Sequence, residues 1–227
     1  MNFIGIIPAH SKSKRFPKKA LHKLKNKSLI QHVYEKTKKC KLLSDLYVAT
    51  DCLKIKKEIK QINGKVILTN NNHENGSSRC FEAFKKINKK YDYIINIQSD
   101  QPFINSKIID QMILDVKKNK PSILTTGCKI KEHEIKDRNA VKVYVKNNIC
   151  INFSRKKICE KNIFKHIGIY FFQSKIIDKL ILLKKTKREQ NESLEQLRWL
   201  QNNYEINFTK SIYNVISINS KQDLLDL

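Results

Sequence analysis

Two short segments of the chain carry side chains that could bind phosphates and a metal ion. The first, residues 8–19 (PAHSKSKRFPKK), is rich in cations and follows the apolar run 3–7. The second, residues 98–102 (QSDQP), follows the apolar run 93–97 and contains the carboxylate of Asp100. Lysine and arginine neutralise phosphate oxygens, and carboxylate oxygens are ligands that Mg²⁺ prefers. The two segments together therefore predict nucleotide chemistry.

The apolar runs that precede both segments belong to a regular alternation of strands and helices. Strands are predicted over 3–7, 45–49, 65–68 and 93–97, and helices over 28–40, 52–62, 78–88 and 106–118. Such alternation is typical of βαβ units, which form a parallel sheet with helices on both faces. Open α/β sheets bind ligands beyond the carboxyl ends of their strands. We therefore expect both segments to lie at one edge of the sheet.

Beyond residue 120 the pattern becomes richer in strands. Strands are predicted over 122–128, 141–146, 149–153 and 166–172, and helices over 176–184, 192–202 and 221–226. Asn147-Asn148 is a hairpin signal. We predict an α/β fold in one domain over 1–227. Its residues 1–120 form a mostly parallel nucleotide-binding half, and 121–227 form a smaller mixed β-rich half that supplies the second substrate site and a dimer surface.

The composition limits the classes of protein that the chain could belong to. It has 46 basic and 21 acidic residues, a net charge of +25, but only six of the basic residues are Arg. Specific nucleic-acid binders rely on Arg for bidentate contacts, so we predict a solvated basic surface and no specific nucleic-acid partner. A nucleic-acid-binding function would rest on charge alone. No apolar stretch approaches the roughly 20 residues of a membrane span. Six Cys without a C-x-x-C pair favour buried free thiols and a cytoplasmic location.

The first segment is not a common phosphate-binding motif. It contains no glycine, so it is neither the P-loop G-x-x-x-x-G-K-[ST] nor the dinucleotide motif G-x-G-x-x-G. Arg15 could hold a phosphate as a planar fork and Lys19 as a point charge. Taken alone, a solvated basic loop is the simpler interpretation.

Eight segments, in order over nearly the full length, resemble the 3-deoxy-manno-octulosonate cytidylyltransferases, or CMP-Kdo synthetases. They are IIPAHSKSKRFPKKAL at 6–21, YVATD at 47–51, HENGSSR at 73–79, NIQSDQPFI at 96–104, NAVKV at 139–143, FSR at 153–155, HIGIY at 166–170 and ESLEQLRWL at 192–200. The series is specific although each string is weak. The resemblance implies a single Rossmann-like nucleotidyltransferase domain over 1–227 whose half 121–227 binds the sugar. It implies transfer of CMP from CTP to the sugar acid Kdo with release of pyrophosphate, in a cytoplasmic, magnesium-dependent homodimer that serves lipopolysaccharide synthesis.

The resemblance also implies roles for residues at the nucleotide. Arg15, Lys19 and Asp100 would be the catalytic residues: the two cations would hold the triphosphate, and Asp100 would bind both nucleotide and Mg²⁺. The remaining nucleotide-binding positions would be Pro8, Ala9, His10, Ser11, Ser77, Arg79 and Gln98.

At the sugar, the resemblance implies that Arg155 pairs with the carboxylate. Gln98, His166 and Glu195 would bind its hydroxyls. Simpler alternatives exist for three of these residues. His166 could be a satisfied core histidine, Arg155 a solvated cation, and Glu195 half of a surface pair with Arg198, three residues away on a predicted helix.

The chain departs from the family pattern at several positions near the chemistry. His10 replaces an Arg, Lys18 a Gly, Ser78 a Glu and Gln101 a Glu. Asn219 replaces an Asp that is a second metal ligand in the family, so it would offer Mg²⁺ an oxygen without charge. Two alternatives therefore stay open: a cytidylyltransferase for another sugar acid, and a weakly active or non-catalytic nucleotide-binding relative.

Overall fold

The structure is a computed structural model, and it describes residues 1–11 and 16–225. The chain forms two compact units. The first combines Met1–Ile113 with the C-terminal segment that begins at Val215, and the second is Leu114–Asn214. The units therefore do not simply follow the order of the chain, because its last segment packs with the first unit.

Within these residues the strands are β1 (Phe3–Ala9), β2 (Lys23–Leu24), β3 (Lys27–Ser28), β4 (Asp45–Thr50), β5 (Lys65–Leu68), β6 (Tyr93–Asn96), β7 (Ile123–Lys129), β8 (Lys142–Lys146), β9 (Ile149–Ser154), β10 (Ile163–Gln173) and β11 (Asn207–Ser211). The helices are α1 (Leu29–Lys38), α2 (Leu53–Gln61), α3 (Gly76–Lys86), α4 (Ser106–Asn119), α5 (Glu132–Lys136), α6 (Ile177–Ile181), α7 (Lys187–Glu192), α8 (Gln196–Gln201) and α9 (Gln222–Leu225).

The first unit contains the predicted parallel sheet, in the order β5-β4-β1-β6. Every residue of β1 is buried, as expected for a central strand with helices on both faces. The neighbouring strands β1, β4 and β6 end at Ala9, Thr50 and Asn96. The loops that follow them leave the sheet at its carboxyl edge, where the sequence predicted the ligand site.

The second unit is built on mixed strands. β7 pairs antiparallel with β10 and parallel with β11, β11 pairs antiparallel with β9, and β9 pairs antiparallel with β8. A further antiparallel pairing of β8 with β10 closes this ring of pairings. Asn147 and Asn148, which join β8 to β9, have φ of 51° and 58°, as the predicted two-residue hairpin requires. Strand β11 was not predicted from the sequence.

The cysteines and the helices can be compared with two predictions, that the thiols are buried and free and that no segment spans a membrane. All six cysteines are free; four are buried, but Cys52 is half-buried and Cys159 is exposed, contrary to the expectation that the thiols are buried. Within the described residues, no helix is long and apolar enough to cross a bilayer.

Candidate active site

The first loop, the start of α3 and the end of β6 are packed together in the first unit. A Cβ added to Gly76 would lie 3.2 Å from Pro8 Cγ, so only a residue without a side chain allows this approach without adjustment. Asn96 Nδ2 donates to Ser77 Oγ at 3.1 Å. The buried Pro8 and Ala9, which end β1, and the buried Ser77 are thus neighbours of one site. Arg15 lies outside the described residues.

Helix α3 begins with a capped turn. Asn75 Oδ1 accepts a hydrogen bond from the Ser78 N–H at 2.8 Å. Ser78, which replaces a family carboxylate, lies with its hydroxyl 3.1 Å from His73 Nδ1, and the other nitrogen of that ring contacts Glu82. The substitution at 78 therefore belongs to a polar cluster built by this chain's own residues.

Arg79 is only 3% exposed and is held by the protein itself. Its Nη1 donates to Thr69 Oγ1 at 2.6 Å and to the Asn70 carbonyl at 3.3 Å, and it lies 3.2 Å from Asp51 Oδ1. These contacts tie α3 to the ends of β4 and β5. They give Arg79 a structural task beside the predicted contact with the nucleotide.

His10 follows β1 and is exposed, with Ser11 half-buried beside it. Partial desolvation, followed by the positive charges of Arg79 and Lys19, lowers the pKa of His10, and the negative charge of Asp51 opposes the shift. A neutral imidazole at neutral pH can donate or accept a hydrogen bond. It does not supply the constant charge of the arginine that the family has at this position.

Lys19 and Asp100 form an ion pair at the edge of the sheet. Lys19 Nζ lies 3.0 Å from Asp100 Oδ2 and donates to the Ile218 carbonyl at 2.8 Å. Both side chains are mostly shielded from solvent, with 16% and 24% exposed. Gln98, two residues before Asp100, is half-buried. The two residues assigned to phosphate and metal are therefore in direct contact.

The C-terminal segment brings Asn219 beside this pair. The Ile218 N–H donates to the Asp100 carbonyl at 2.8 Å, and the Ile218 side chain packs with Phe16 and Leu29. The Asn219 N–H donates to Asp223 Oδ2 at 2.6 Å. Burial would raise the pKa of Asp223, but the hydrogen bonds from residues 219 and 220 outweigh it and lower that pKa.

The oxygens at this position suit a hard cation. The Asp100 carboxylate and the Ile218 carbonyl already bind the Lys19 ammonium, and the Asn219 amide is the next polar side chain along. Among the described residues no group of three or more His, Cys, Asp or Glu side chains is gathered as a metal site. Mg²⁺ commonly completes its shell with water and phosphate oxygens. The residues therefore fit a magnesium ion that arrives with a nucleotide.

Gln101, which replaces a family glutamate, is buried with 3% exposed. Its Nε2 lies 3.4 Å from Ser217 Oγ, in the segment that carries Ile218. A buried amide needs no counter-charge, whereas a buried carboxylate does. The substitution is thus compatible with a structural contact at this point.

In the second unit, His166 is hydrogen-bonded on one side of its ring. Its Nε2 lies 2.9 Å from Thr125 Oγ1, which donates its single proton to the Ile169 carbonyl at 2.8 Å. The hydroxyl must therefore accept from His166, so Nε2 carries the proton. Burial lowers the pKa of His166 to about 3. Nδ1 has no hydrogen bond within the described residues, so the histidine is not fully satisfied and can accept one more.

A bulge in β10 determines where His166 lies. His166 pairs with Gly127 and Tyr170 pairs with Thr125, so four residues of β10 span two of β7. Gly168, inside the bulge, has φ of 83°, which favours glycine. The bulge draws the His166 and Tyr170 rings to 5.3 Å between centroids.

Sequence reasoning missed Tyr170 as a polar group of this region. The residue is 5% exposed, and its ring lies 5.0 Å from that of Trp199. Burial, then the nearby Cys150 and Glu195, raises the pKa of the Tyr170 hydroxyl, and the neighbouring Thr125 hydroxyl opposes the shift. That hydroxyl has no hydrogen bond of normal geometry within the described residues. A buried unpaired hydroxyl is explained by a partner from water or ligand; the available signal was its place in HIGIY.

Arg155 is partly buried and anchored by the protein, so it is not a freely solvated cation. Its Nε donates to the Glu192 carbonyl at 2.9 Å and its Nη1 to the Arg138 carbonyl at 3.1 Å. Glu195 is half-buried at the start of α8. Arg198 makes a bidentate pair with Glu189, at 2.7 and 2.6 Å.

Known proteins resemble this chain over its whole length. A sequence profile described as cytidylyltransferase matches residues 4–211. The 3-deoxy-manno-octulosonate cytidylyltransferase of Parabacteroides distasonis is 36% identical over 242 residues, covering 99% of this chain and 96% of its own. The 8-amino-3,8-dideoxy-manno-octulosonate cytidylyltransferase of Shewanella pealeana is 36% identical over 235 residues, with coverages of 99% and 96%.

A solved structure agrees with the sequence matches. CMP:2-keto-3-deoxy-manno-octonic acid synthetase complexed with CTP superposes with a TM-score of 0.93 at 28% identity, covering 100% of this chain and 96% of that one. The predicted α/β nucleotidyltransferase fold is thereby confirmed. The chain is a nucleotidyltransferase that belongs to the 3-deoxy-manno-octulosonate cytidylyltransferase family.

Proposed function

We propose that this protein transfers CMP from CTP to the anomeric hydroxyl of 3-deoxy-D-manno-octulosonate. That hydroxyl attacks the α-phosphorus in line, and pyrophosphate leaves. The observation that carries the proposal is the Lys19–Asp100 pair at the carboxyl edge of the parallel sheet, with Asn219 beside it. The pair offers an ammonium for the phosphates of a nucleoside triphosphate and a carboxylate for the metal ion.

On the nucleotide side, the chain's own groups neutralise and orient the phosphates. Lys19 exchanges Asp100 for a phosphate oxygen, and Arg15 is proposed to bind beside it. Asp100 and the Asn219 amide oxygen would hold Mg²⁺, which when bound neutralises charge on the phosphates. Such transfers depend mainly on positioning and charge stabilisation rather than on covalent participation by the protein.

On the sugar side, the roles follow from hydrogen-bonding capacity. Arg155 presents a guanidinium to the carboxylate of the sugar acid. Nδ1 of His166 accepts a hydrogen bond from a sugar hydroxyl, because the Nε2–H already donates to Thr125. The buried Tyr170 hydroxyl is a further donor or acceptor that a sugar hydroxyl would satisfy. Glu195 is proposed to accept from another hydroxyl.

A second candidate substrate is the 8-amino-3,8-dideoxy analogue of the same sugar. What favours it is that relatives named for either sugar are 36% identical to this chain. The two substrates differ only at the eighth carbon, where an ammonium replaces a hydroxyl. We further propose a magnesium-dependent, cytoplasmic homodimer that serves lipopolysaccharide synthesis.

The test is pyrophosphate release from CTP with Mg²⁺ and each of three sugar acids: the octulosonate, its 8-amino analogue and a sialate. A blank without sugar measures simple CTP hydrolysis. We expect the octulosonate to give the highest kcat/KM. Folded protein that releases no pyrophosphate above the blank with any of the acids would contradict the proposal. A higher kcat/KM for the 8-amino analogue would show that the analogue, rather than the octulosonate, is the substrate. Light scattering during gel filtration tests the homodimer.

A further inference from the structure

Arg155 is held at four points by other residues of the second unit. Its N–H donates to Glu192 Oε2 at 3.0 Å, and its carbonyl accepts from Lys142 Nζ at 3.1 Å. The side chain donates to the Glu192 carbonyl at 2.9 Å and to the Arg138 carbonyl at 3.1 Å. Backbone and guanidinium are therefore oriented together, from β8, from the end of α7 and from the loop before β8.

Lys142 is an unusual member of this set, because it is completely buried. Its Nζ donates to the Asp137 carbonyl at 2.5 Å and to the Arg155 carbonyl at 3.1 Å. Within the described residues it makes no direct ion pair with a carboxylate. Burial lowers the pKa of Lys142; the negative charges of Asp137, Glu134 and Glu192 oppose this shift, and the positive charge of Arg155 adds to it. Carbonyl dipoles solvate the ammonium but leave its positive charge in place.

A buried cation is unfavourable unless nearby groups supply negative charge, and the carboxylates of Asp137, Glu134 and Glu192 act on Lys142 in this way without a direct ion pair. Lys165, which pairs with Lys142 between β10 and β8, differs because its Nζ contacts Glu134 directly at 2.6 Å. The Lys142 ammonium instead contacts the Arg155 carbonyl. Its positive charge therefore adds to that of the guanidinium at this point, and it favours an anionic ligand there.

We propose that Lys142 and Glu192 are positioning residues for Arg155, and that Lys142 strengthens the preference of this region for a carboxylate. The Glu192 carboxylate and Lys142 fix the Arg155 backbone, and the Glu192 carbonyl orients the guanidinium. Lys142 also adds a positive charge behind Arg155. This inference rests on the proposed function, in which the ligand at Arg155 is the carboxylate of the sugar acid.

The experiment compares the sugar acid with its carboxamide, which keeps the shape of the carboxylate but lacks the charge. Lys142→Met removes the ammonium at nearly constant length, and Lys146→Met, an exposed position on the same strand, is the matched control. We expect Lys142→Met to raise KM for the sugar acid by roughly tenfold or more, with KM for CTP within about twofold. The ratio of kcat/KM for acid over carboxamide should fall, and it should not change in the control.

Glu192→Leu removes the carboxylate that accepts from the Arg155 N–H, so it tests the positioning of Arg155 if Lys142→Met does not fold. We expect it to raise KM for the sugar acid severalfold without affecting KM for CTP. Equal losses with acid and carboxamide in Lys142→Met, or parallel changes in both KM values, would overturn the inference. An inactive wild type would instead overturn the proposed function. In that case the rise in Tm of the wild type is measured with the acid and with the carboxamide, in the absence of CTP. If the acid raises Tm no more than the carboxamide does, the positioning role is overturned.

Discussion

In the first unit the Lys19 ammonium lies against a carboxylate, whereas in the second unit the Lys142 ammonium lies against two carbonyl oxygens. The first pair is neutral, so it must separate before either partner can meet a new charge. The second arrangement keeps the ammonium charge, because carbonyl oxygens do not neutralise it. Under the proposed function, the Lys19–Asp100 pair would separate when a nucleotide binds, whereas the contacts of Lys142 with the backbone would stay in place when the sugar acid binds.

Asp100→Asn removes the carboxylate from the first arrangement and should have the largest effect. The variant loses both the partner of Lys19 and the charged ligand for Mg²⁺. We expect kcat to fall by at least roughly 10²–10³-fold, measured as pyrophosphate release at saturating substrates. Asp178→Asn, at an exposed carboxylate on α6, is the control. Activity near that of the control would show that Asp100 is not the metal-binding carboxylate.

Lys19→Ala removes the cation of the same pair. A phosphate contact of this kind contributes roughly 2–4 kcal/mol to transition-state stabilisation in a closed site. We expect kcat/KM for CTP to fall accordingly, and Arg15→Ala should have a similar effect. If kcat/KM stayed unchanged in both variants, the first loop would not be the phosphate-binding loop.

Arg155→Lys examines the second region. Lysine keeps the charge but lacks the fork that can hold two carbonyls and still bind a carboxylate. We expect a higher KM for the sugar acid and a nearly unchanged KM for CTP, from initial rates with each substrate varied. Equal effects on the two KM values would assign Arg155 a structural role.

Asn219→Asp makes the nucleotide region more negative. The second carboxylate should attract Mg²⁺ strongly, although it repels Asp100 while the metal is absent. We therefore expect a lower Mg²⁺ concentration for half-maximal rate and a higher rate, measured by titrating Mg²⁺ at fixed CTP. An unchanged magnesium dependence would contradict the weakened-metal-site interpretation.

Lys18→Gly should have the smallest effect, on stability alone. Lys18 has φ of 57°, in the left-handed region that costs a non-glycine residue about 1–2 kcal/mol. Glycine avoids this cost, but its greater entropy in the unfolded chain offsets part of the benefit. We therefore expect the free energy of unfolding in urea to rise by up to about 1 kcal/mol. The control, Lys39→Gly at an exposed position with φ of −75°, should destabilise. Destabilisation at both positions would contradict the backbone argument.

The strands of the parallel sheet in the first unit were predictable because they are short, largely apolar runs, whereas the two-residue strands β2 and β3 were not predicted. β1, β4, β5 and β6 lie within a few residues of their predicted bounds. In the second unit the helix predicted over 192–202 is shorter and corresponds to α8, Gln196–Gln201. Its predicted start falls where α7 ends, because Ser193 has φ of 52°. β11 was missed because NFTKS is short and polar, and its pairing with β7 identifies it as a strand.

The sequence by itself determined the residue types at the strand ends, the alternation of strands and helices, and the family resemblance. These are local patterns, readable from neighbouring residues. The tertiary structure decided which distant groups meet: Lys19 with Asp100 and the Ile218 carbonyl, and Lys142 with the Arg155 carbonyl. Such contacts depend on chain closure over long separations and on close packing, which no local periodicity encodes. The burial of Lys142 against two backbone carbonyls was visible only in the folded chain.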